Sequence, residues 1–73
     1  MKFTVVDNEF QATHWKHVDS FNKCCLEGGK TYPIRTFIQN EDTYYEVVNG
    51  ADRISTEWIK SNCRGYFVRE ERE

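Results

Sequence analysis

Histidine and cysteine side chains have the widest chemical range in this chain, and four of them lie close together in its first third. His14 and His17 are three residues apart, and Cys24 and Cys25 are adjacent, while Cys63 is remote in sequence. Zinc takes imidazole and thiolate ligands. The spacing does not suit a zinc finger or ribbon, because there is no CxxC pair and two adjacent cysteines rarely reach one tetrahedral ion. We therefore predict no metal and no cofactor. Were a metal to bind, the candidate ligands would be His14, His17, Cys24 and Cys25.

A cysteine–histidine pair can also act in nucleophilic catalysis, but the sequence offers no identifiable orienting group and no oxyanion hole. The pair Gly28-Gly29 lacks the spacing of a phosphate-binding loop and is better placed to end a helix. A domain of 73 residues also leaves little room for a closed, dry pocket. We therefore expect a protein without catalytic activity.

Charge is segregated along the chain, although the net charge is only −2. Residues 41–52 contain acidic side chains and no basic one, whereas 53–69 contain four basic side chains and one acidic side chain. The acidic balance argues against a general phosphate-backbone binder, and the segregation suits an oriented partner surface. With three cysteines, no evident signal peptide and no long apolar run, we expect a cytoplasmic protein with reduced thiols and no membrane contact.

Short strands, rather than helices, are expected to position these residues within a single domain, 1–73. The run Lys2–Val6 is rich in β-branched residues and predicts the first strand. Residues 7–29 show no clean periodicity, which predicts a long loop. Inside that loop, a phenylalanine and two cysteines at helical spacing precede a glycine pair, which predicts a short helix over about 20–27.

Two turn signals and one helix signal divide the rest of the chain. Asn40-Glu41-Asp42 is a polar turn, and Asn49-Gly50 is a strong hairpin signal, because Asn and Gly tolerate a positive φ. Thr56 is the predicted cap of a short helix, with Glu57 near its positive end. The predicted elements are a strand over 30–39, a strand over 43–48, a strand that begins at 53–55, a helical turn over 56–62 and a last strand over 65–70, with 70–73 as a frayed tail.

Four short motifs follow one another within residues 29–70. They are Gly29-Lys30-Thr31-Tyr32, Tyr44-Tyr45-Glu46-Val47-Val48-Asn49-Gly50, Trp58-Ile59 and Tyr66-Phe67-Val68. This part of the chain resembles small SH3-like proteins encoded by bacteria and their phages. The resemblance implies a mostly β fold: a small five-stranded SH3-like barrel with a short helix in its first long loop and a one-turn helix before its last strand. It implies no catalytic residues.

Aromatic side chains on the predicted strands are the next candidates for recognition. Successive strand residues point to opposite faces, so some aromatic side chains must face the core and others the solvent. We expect Tyr45 and Trp58 in the core. We expect Tyr44 and one of Tyr66 or Phe67 at the surface.

The function that these features favour is a protein–protein interaction module, present as a monomer or a homodimer. Trp15, in the predicted loop, either covers an open end of the barrel or anchors a partner. The resemblance implies a phage setting, in which such a protein would bind and modulate a host enzyme or defence component in the bacterial cytoplasm. The predicted partner-binding residues are Trp15, His17, Glu41, Asp42 and Tyr44.

The alternative function is nucleic-acid binding, in which basic side chains contact phosphates and an aromatic ring stacks on a base. Its candidate residues lie in the basic stretch of the chain. They are Arg53, Lys60, Arg64, Arg69 and Tyr66.

Overall fold

The computed structural model describes residues 2–19 and 26–71, which form six strands and one short helix. The mostly β class expected from the sequence is confirmed. The helix has seven residues, and no helix of the described residues is long and apolar enough to cross a membrane. The elements are β1 (Lys2–Val6), β2 (His14–His17), β3 (Thr31–Gln39), β4 (Asp42–Asn49), β5 (Asp52–Ser55), α1 (Thr56–Asn62) and β6 (Gly65–Glu71).

The six strands form an antiparallel sheet in the order β1-β6-β2-β3-β4-β5, so β1 and β5 are its edges. Trp15 on β2 pairs with Tyr32 on β3 and with Phe67 on β6. Ile34 on β3 pairs with Val47 on β4. Directly paired residues share a face of a sheet, so these five side chains lie on one face, called here the inner face. The opposite face is the outer face.

Strand β2 corrects both the predicted loop over 7–29 and the predicted count of five strands. His14–His17 lies between β3 and β6 and pairs with both. Its side chains alternate between partly buried and buried along the strand. The residue types conceal this alternation, because an indole and an imidazole face the core while a histidine and a lysine face outward.

The hydrophobic core lies on the inner face, where α1 packs against the sheet. The helix contributes Ile59, and the segment that precedes β3 contributes Leu26. Both side chains are fully buried. Within the described ranges α1 is the only helix, so none covers the outer face. The core cluster is Trp15, Leu26, Tyr32, Ile34, Val47, Ile59 and Phe67.

Two tight turns close the β3–β4–β5 meander. Gln39 pairs with Asp42, which leaves Asn40-Glu41 as a two-residue loop with φ values of 52° and 68°. Positive φ at both loop residues is the type I′ geometry, whose twist matches that of the flanking strands. The hairpin predicted at Asn49-Gly50 is present, and its glycine has a φ of 63°. Its two loop residues are Gly50 and Ala51, because Asn49 belongs to β4 and pairs with Asp52.

The helix α1 has the predicted extent but a different cap. Ser55 is the N-cap, and its Oγ accepts a hydrogen bond from the backbone N–H of Glu57 at 3.2 Å. Thr56, the predicted cap, is instead the first helical residue and is buried. Ser is as good a capping residue as Thr, so packing of Thr56 against the core decides between these neighbours.

The aromatic predictions are confirmed in part. Tyr44 and Tyr66 are exposed, Phe67 is buried, and Tyr45 is partly buried against the core. Trp58 was expected in the core, but it is 41% exposed. The reason is helical geometry: the residues at positions 56 and 59 face the core three positions apart, and position 58 points away from that stripe.

Two further predictions concern segments that the structure describes only in part. Most of the helix predicted over 20–27 lies outside the described residues. The predicted frayed tail is wrong for Glu70 and Glu71, which belong to β6 and pair with Phe3 and Lys2. Residues 72–73 lie outside the described residues.

Candidate functional site

The structure places Trp15 and His17 in the core, which corrects their assignment to a partner-binding surface. Trp15 is 2% exposed and His17 is fully buried. The Trp15 ring lies over Gly65, where an added Cβ would be 2.5 Å from ring carbon Cζ2. The glycine therefore leaves the space that the indole fills. Neither side chain is available to a partner, because their strand is in the middle of the sheet with its inner face covered.

Trp15 and His17 also form a buried hydrogen bond to each other. The indole N–H of Trp15 donates to Nδ1 of His17 at 3.1 Å. An indole nitrogen can only donate, so Nδ1 must accept, and the neutral imidazole then carries its proton on Nε2. This bond fixes the tautomer of His17.

His17 is close to two other groups that can ligate metals. Its ring nitrogen, a carboxylate oxygen of Asp19 and the sulfur of Cys63 lie within 4.8 Å of one another. A metal-bound imidazole nitrogen must offer a lone pair, and its second nitrogen usually donates to an acceptor. Here the second partner of the ring is the donor Trp15, so binding a metal through His17 would require loss of that hydrogen bond. The cluster is therefore poorly suited to a metal.

His14 points to the outer face and cannot share an ion with His17. Its ring meets Phe3 edge-on, with 5.2 Å between ring centroids, and its Nδ1 lies 2.8 Å from the hydroxyl of Thr13. Partial burial is the largest cause that lowers the pKa of His14, opposed by the charge of Glu70. The other two metal candidates, Cys24 and Cys25, lie outside the described residues.

Two of the basic residues of the nucleic-acid alternative lie on strands that are far apart in the sheet, whereas Lys60 and Tyr66 line one pocket. Arg53 is on β5 and Arg69 is on β6, at the last and second positions of the strand order. Three of the four have acidic neighbours: Arg53 lies 4.0 Å from Glu46, Lys60 lies 3.0 Å from Glu9, and Arg69 lies 2.9 Å from Glu71. These neighbours offset positive charge that phosphate binding would need.

The Glu9–Lys60 pair ties the segment between β1 and β2 to α1. Glu9 is buried, and one of its oxygens accepts a hydrogen bond from Lys60 Nζ. This hydrogen bond is the largest cause that raises the pKa of Lys60, and the nearby charge of Glu57 raises it further. The pair therefore has a structural role: it holds the segment between β1 and β2 (residues 7–13), called here the cover, over the inner face.

The tip of the β3–β4 hairpin is where predicted site residues remain at the surface. Glu41, Asp42 and Tyr44 are all exposed. Tyr44 pairs with Phe37 on the outer face, and Ile38 on the opposite side of the strand is 76% exposed. We call these five residues (Phe37, Ile38, Glu41, Asp42 and Tyr44) the hairpin tip.

A groove of about 470 Å³ runs along the hairpin tip and the outer face beside it. Phe37, Ile38 and Tyr44 supply its apolar lining, and Glu46 and Arg53 lie at its polar side. The guanidinium of Arg53 lies 4.4 Å from the centre of the Phe37 ring, a cation–π contact that orients both side chains. The arrangement offers a partly apolar contact surface with charged groups along one side.

Sequence reasoning did not identify Phe37 and Ile38 as site residues. Strand alternation puts Ile38 on the same face as Tyr32 and Ile34, and the pairing of β3 agrees with this. Alternation does not show which part of the inner face is covered by the rest of the chain. On this face the Phe10 ring packs edge-on against Tyr45, with 5.0 Å between ring centroids. Tyr45 pairs with Thr36, and Ile38, two positions further along β3, is left exposed.

Known proteins give no further guide to this surface. No protein-family model, no curated protein and no solved structure matches the chain.

Proposed function

We propose that the protein is a non-catalytic protein-binding module whose contact surface is the hairpin tip. The observation that carries the proposal is the pair of large apolar side chains left exposed there, Ile38 at 76% and Tyr44 at 47%. Interface hot spots are rich in Tyr and are surrounded by a polar rim. Here the rim is supplied by Glu41 and Asp42.

The charges around the hairpin tip indicate the chemistry of its partner. Glu41 and Asp42 are exposed at the turn next to the apolar side chains, and residues 39–44 contain no basic residue. The nearby Arg53, which contacts the Phe37 ring, lies 4.0 Å from Glu46. A segment with an apolar side chain flanked by Lys or Arg would complement this surface, because the opposite charges attract while the apolar side chain is removed from water. We therefore propose a basic, partly apolar protein segment as the occupant.

The turn geometry supports this assignment. In a type I′ turn the second loop residue is most often Gly, but here it is Glu41 with a φ of 68°. A left-handed conformation costs a residue with a Cβ roughly 1–2 kcal/mol. A glutamate kept at this cost places a carboxylate at the end of the hairpin, beside Tyr44.

We also propose a biological setting for the protein, which the sequence resemblance supports. The chain would be a divergent SH3-like module encoded by a phage. It would modulate a host protein in the bacterial cytoplasm. The order of hairpins and the helical turn before the last strand support this origin.

A peptide-array experiment tests the proposal. The full chain is probed against an array of random peptides, and we expect enrichment of peptides with an aromatic or aliphatic residue next to Lys or Arg. Tyr44→Ala should lose this binding, and Glu41→Gln should weaken it. Tyr66→Ala is the matched control, because Tyr66 is similarly exposed on another part of the outer face, and it should retain it.

Two results would overturn the proposal. One is an array with no basic consensus, and the other is a consensus whose binding survives Tyr44→Ala. If nuclease treatment of the sample abolishes all binding, the nucleic-acid alternative replaces it.

A further inference from the structure

The edge strand β1 lacks most of the features that usually prevent an edge from pairing with another strand. Edge strands are commonly protected by short length, proline, bulges or charges within the strand. Lys2–Val6 has five residues, no proline, and its only charged residue at its start. Phe3 and Val5 are 43% and 65% exposed on its outer face. This edge therefore presents an unprotected template for strand addition.

The opposite edge, β5, is protected. It has only four residues, its second residue is Arg53, and α1 begins directly after it. Antiparallel pairing of two copies centred on Arg53 would place two guanidinium groups opposite each other, which is destabilising. The contrast between the edges shows that only one of them suits self-association.

We propose that β1 pairs antiparallel with β1 of a second copy of this chain and forms a closed dimer. In the register centred on Thr4, all five residues of each strand are paired. Phe3 then lies opposite Val5 of the second copy, an aromatic–β-branched pair of the kind that stabilises sheets, and Thr4 lies opposite its own counterpart. The apolar side chains stay on the outer face of both copies, because the register preserves the alternation.

Charge selects the antiparallel orientation of the second copy. The strand starts with Lys2 and is followed by Asp7, both exposed. Antiparallel pairing brings the Lys2 end of one copy beside the Asp7 end of the other, twice per dimer. Parallel pairing would bring like charges together.

The outer face next to β1 extends the surface that such a dimer would bury. A groove of about 250 Å³ lies there, with Phe3, Val5, Tyr66 and Val68 among its lining residues. Because two β1 strands satisfy each other and β5 is protected, association stops at two copies. The proposal is independent of the hairpin tip, which lies on β3 and β4.

Analytical ultracentrifugation of the full chain across a dilution series tests the dimer. The wild type should move from the monomer mass of 8.7 kDa towards twice that value as concentration rises. Val5→Lys should weaken association roughly tenfold or more, since it breaks two cross-strand pairs per dimer. Val18→Lys is the matched control: the same substitution at an exposed position outside β1 and the hairpin tip, which should leave association unchanged.

A charge change tests the orientation. Asp7→Lys should weaken the dimer, because at each end of the paired strands it replaces an acidic group near Lys2 of the other copy with a second positive charge. Circular dichroism of each variant, with melting measured at monomeric dilution, shows that the fold is retained. A wild type that stays monomeric at every concentration, association that survives Val5→Lys, or Asp7→Lys association as tight as that of the wild type would each overturn the proposal.

Discussion

Strand β2 and the hairpin tip both carry aromatic residues on antiparallel strands, yet they differ in exposure and in role. Trp15 on β2 is 2% exposed, whereas Tyr44 at the tip is 47% exposed. Strand β2 has hydrogen-bonded neighbours on both sides, and Trp15 lies on the covered inner face. Tyr44 lies on the outer face, which no helix of the described residues covers. An aromatic residue therefore supports the fold or a contact surface according to what lies over it, and residue type does not decide between the two.

Substitution of Trp15 should have the largest effect on the free energy of unfolding. A small effect would contradict the contrast drawn between β2 and the hairpin tip. Trp15→Ala removes a buried indole and leaves a cavity, which costs about 3–5 kcal/mol, a large part of the roughly 5–15 kcal/mol that stabilises a typical domain. We expect much of the chain to be unfolded at room temperature, as measured by urea denaturation. Trp58→Ala is the control, because Trp58 is 41% exposed. Equal loss in both variants would contradict the assignment of Trp15 to the core.

Loss of the Glu9–Lys60 pair, which holds the cover over the inner face, should have the next largest effect on stability. Glu9→Gln leaves Lys60 without its buried carboxylate partner and should cost about 1–3 kcal/mol, less than a fully buried pair because Lys60 is partly exposed. Glu57→Gln is the control, since Glu57 is an exposed neighbour of the same lysine and should change stability little. Equal effects of both changes would show that the pair does not hold the cover.

The same pair predicts a dependence on alkaline pH. The pKa of Lys60 is raised above its usual value of 10.5 in the folded state, so the folded protein holds this proton more tightly than the unfolded chain. The stabilisation is fully present below 10.5 and is lost as pH rises through the folded pKa. Melting temperatures of the wild type should therefore fall more steeply in this window than those of Glu9→Gln. Parallel curves would contradict the linkage.

The smallest predicted effect comes from substitutions of Glu41, which change stability and peptide binding at the hairpin tip in different ways. Glu41→Gly relieves the left-handed strain and should raise stability by about 0.5–1 kcal/mol, or roughly 2–8 °C in Tm. Under the proposed function it should also weaken binding of basic peptides, because the carboxylate is lost. Glu41→Gln keeps the strain and removes the charge, so it should weaken binding with Tm unchanged. Tighter peptide binding by the glycine variant would show that Glu41 has no part in the surface.

Local sequence determined the hairpins and the helix. The Asn49-Gly50 turn, the strands on either side of it and the extent of α1 follow from turn residues, alternation and capping, which act over a few neighbouring positions. The exposure of Tyr44 was also predicted correctly, since its alternation with Tyr45 assigns it to the opposite face.

Tertiary structure alone decided the place of β2 and the limits of the core. The run His14–His17 has no apolar periodicity, and it becomes a central strand only because β3 and β6, distant in sequence, supply its hydrogen bonds. Burial of Trp15 and exposure of Ile38 likewise depend on which segments lie over each end of the sheet. Sequence periodicity records the direction of a side chain, but burial depends on long-range packing.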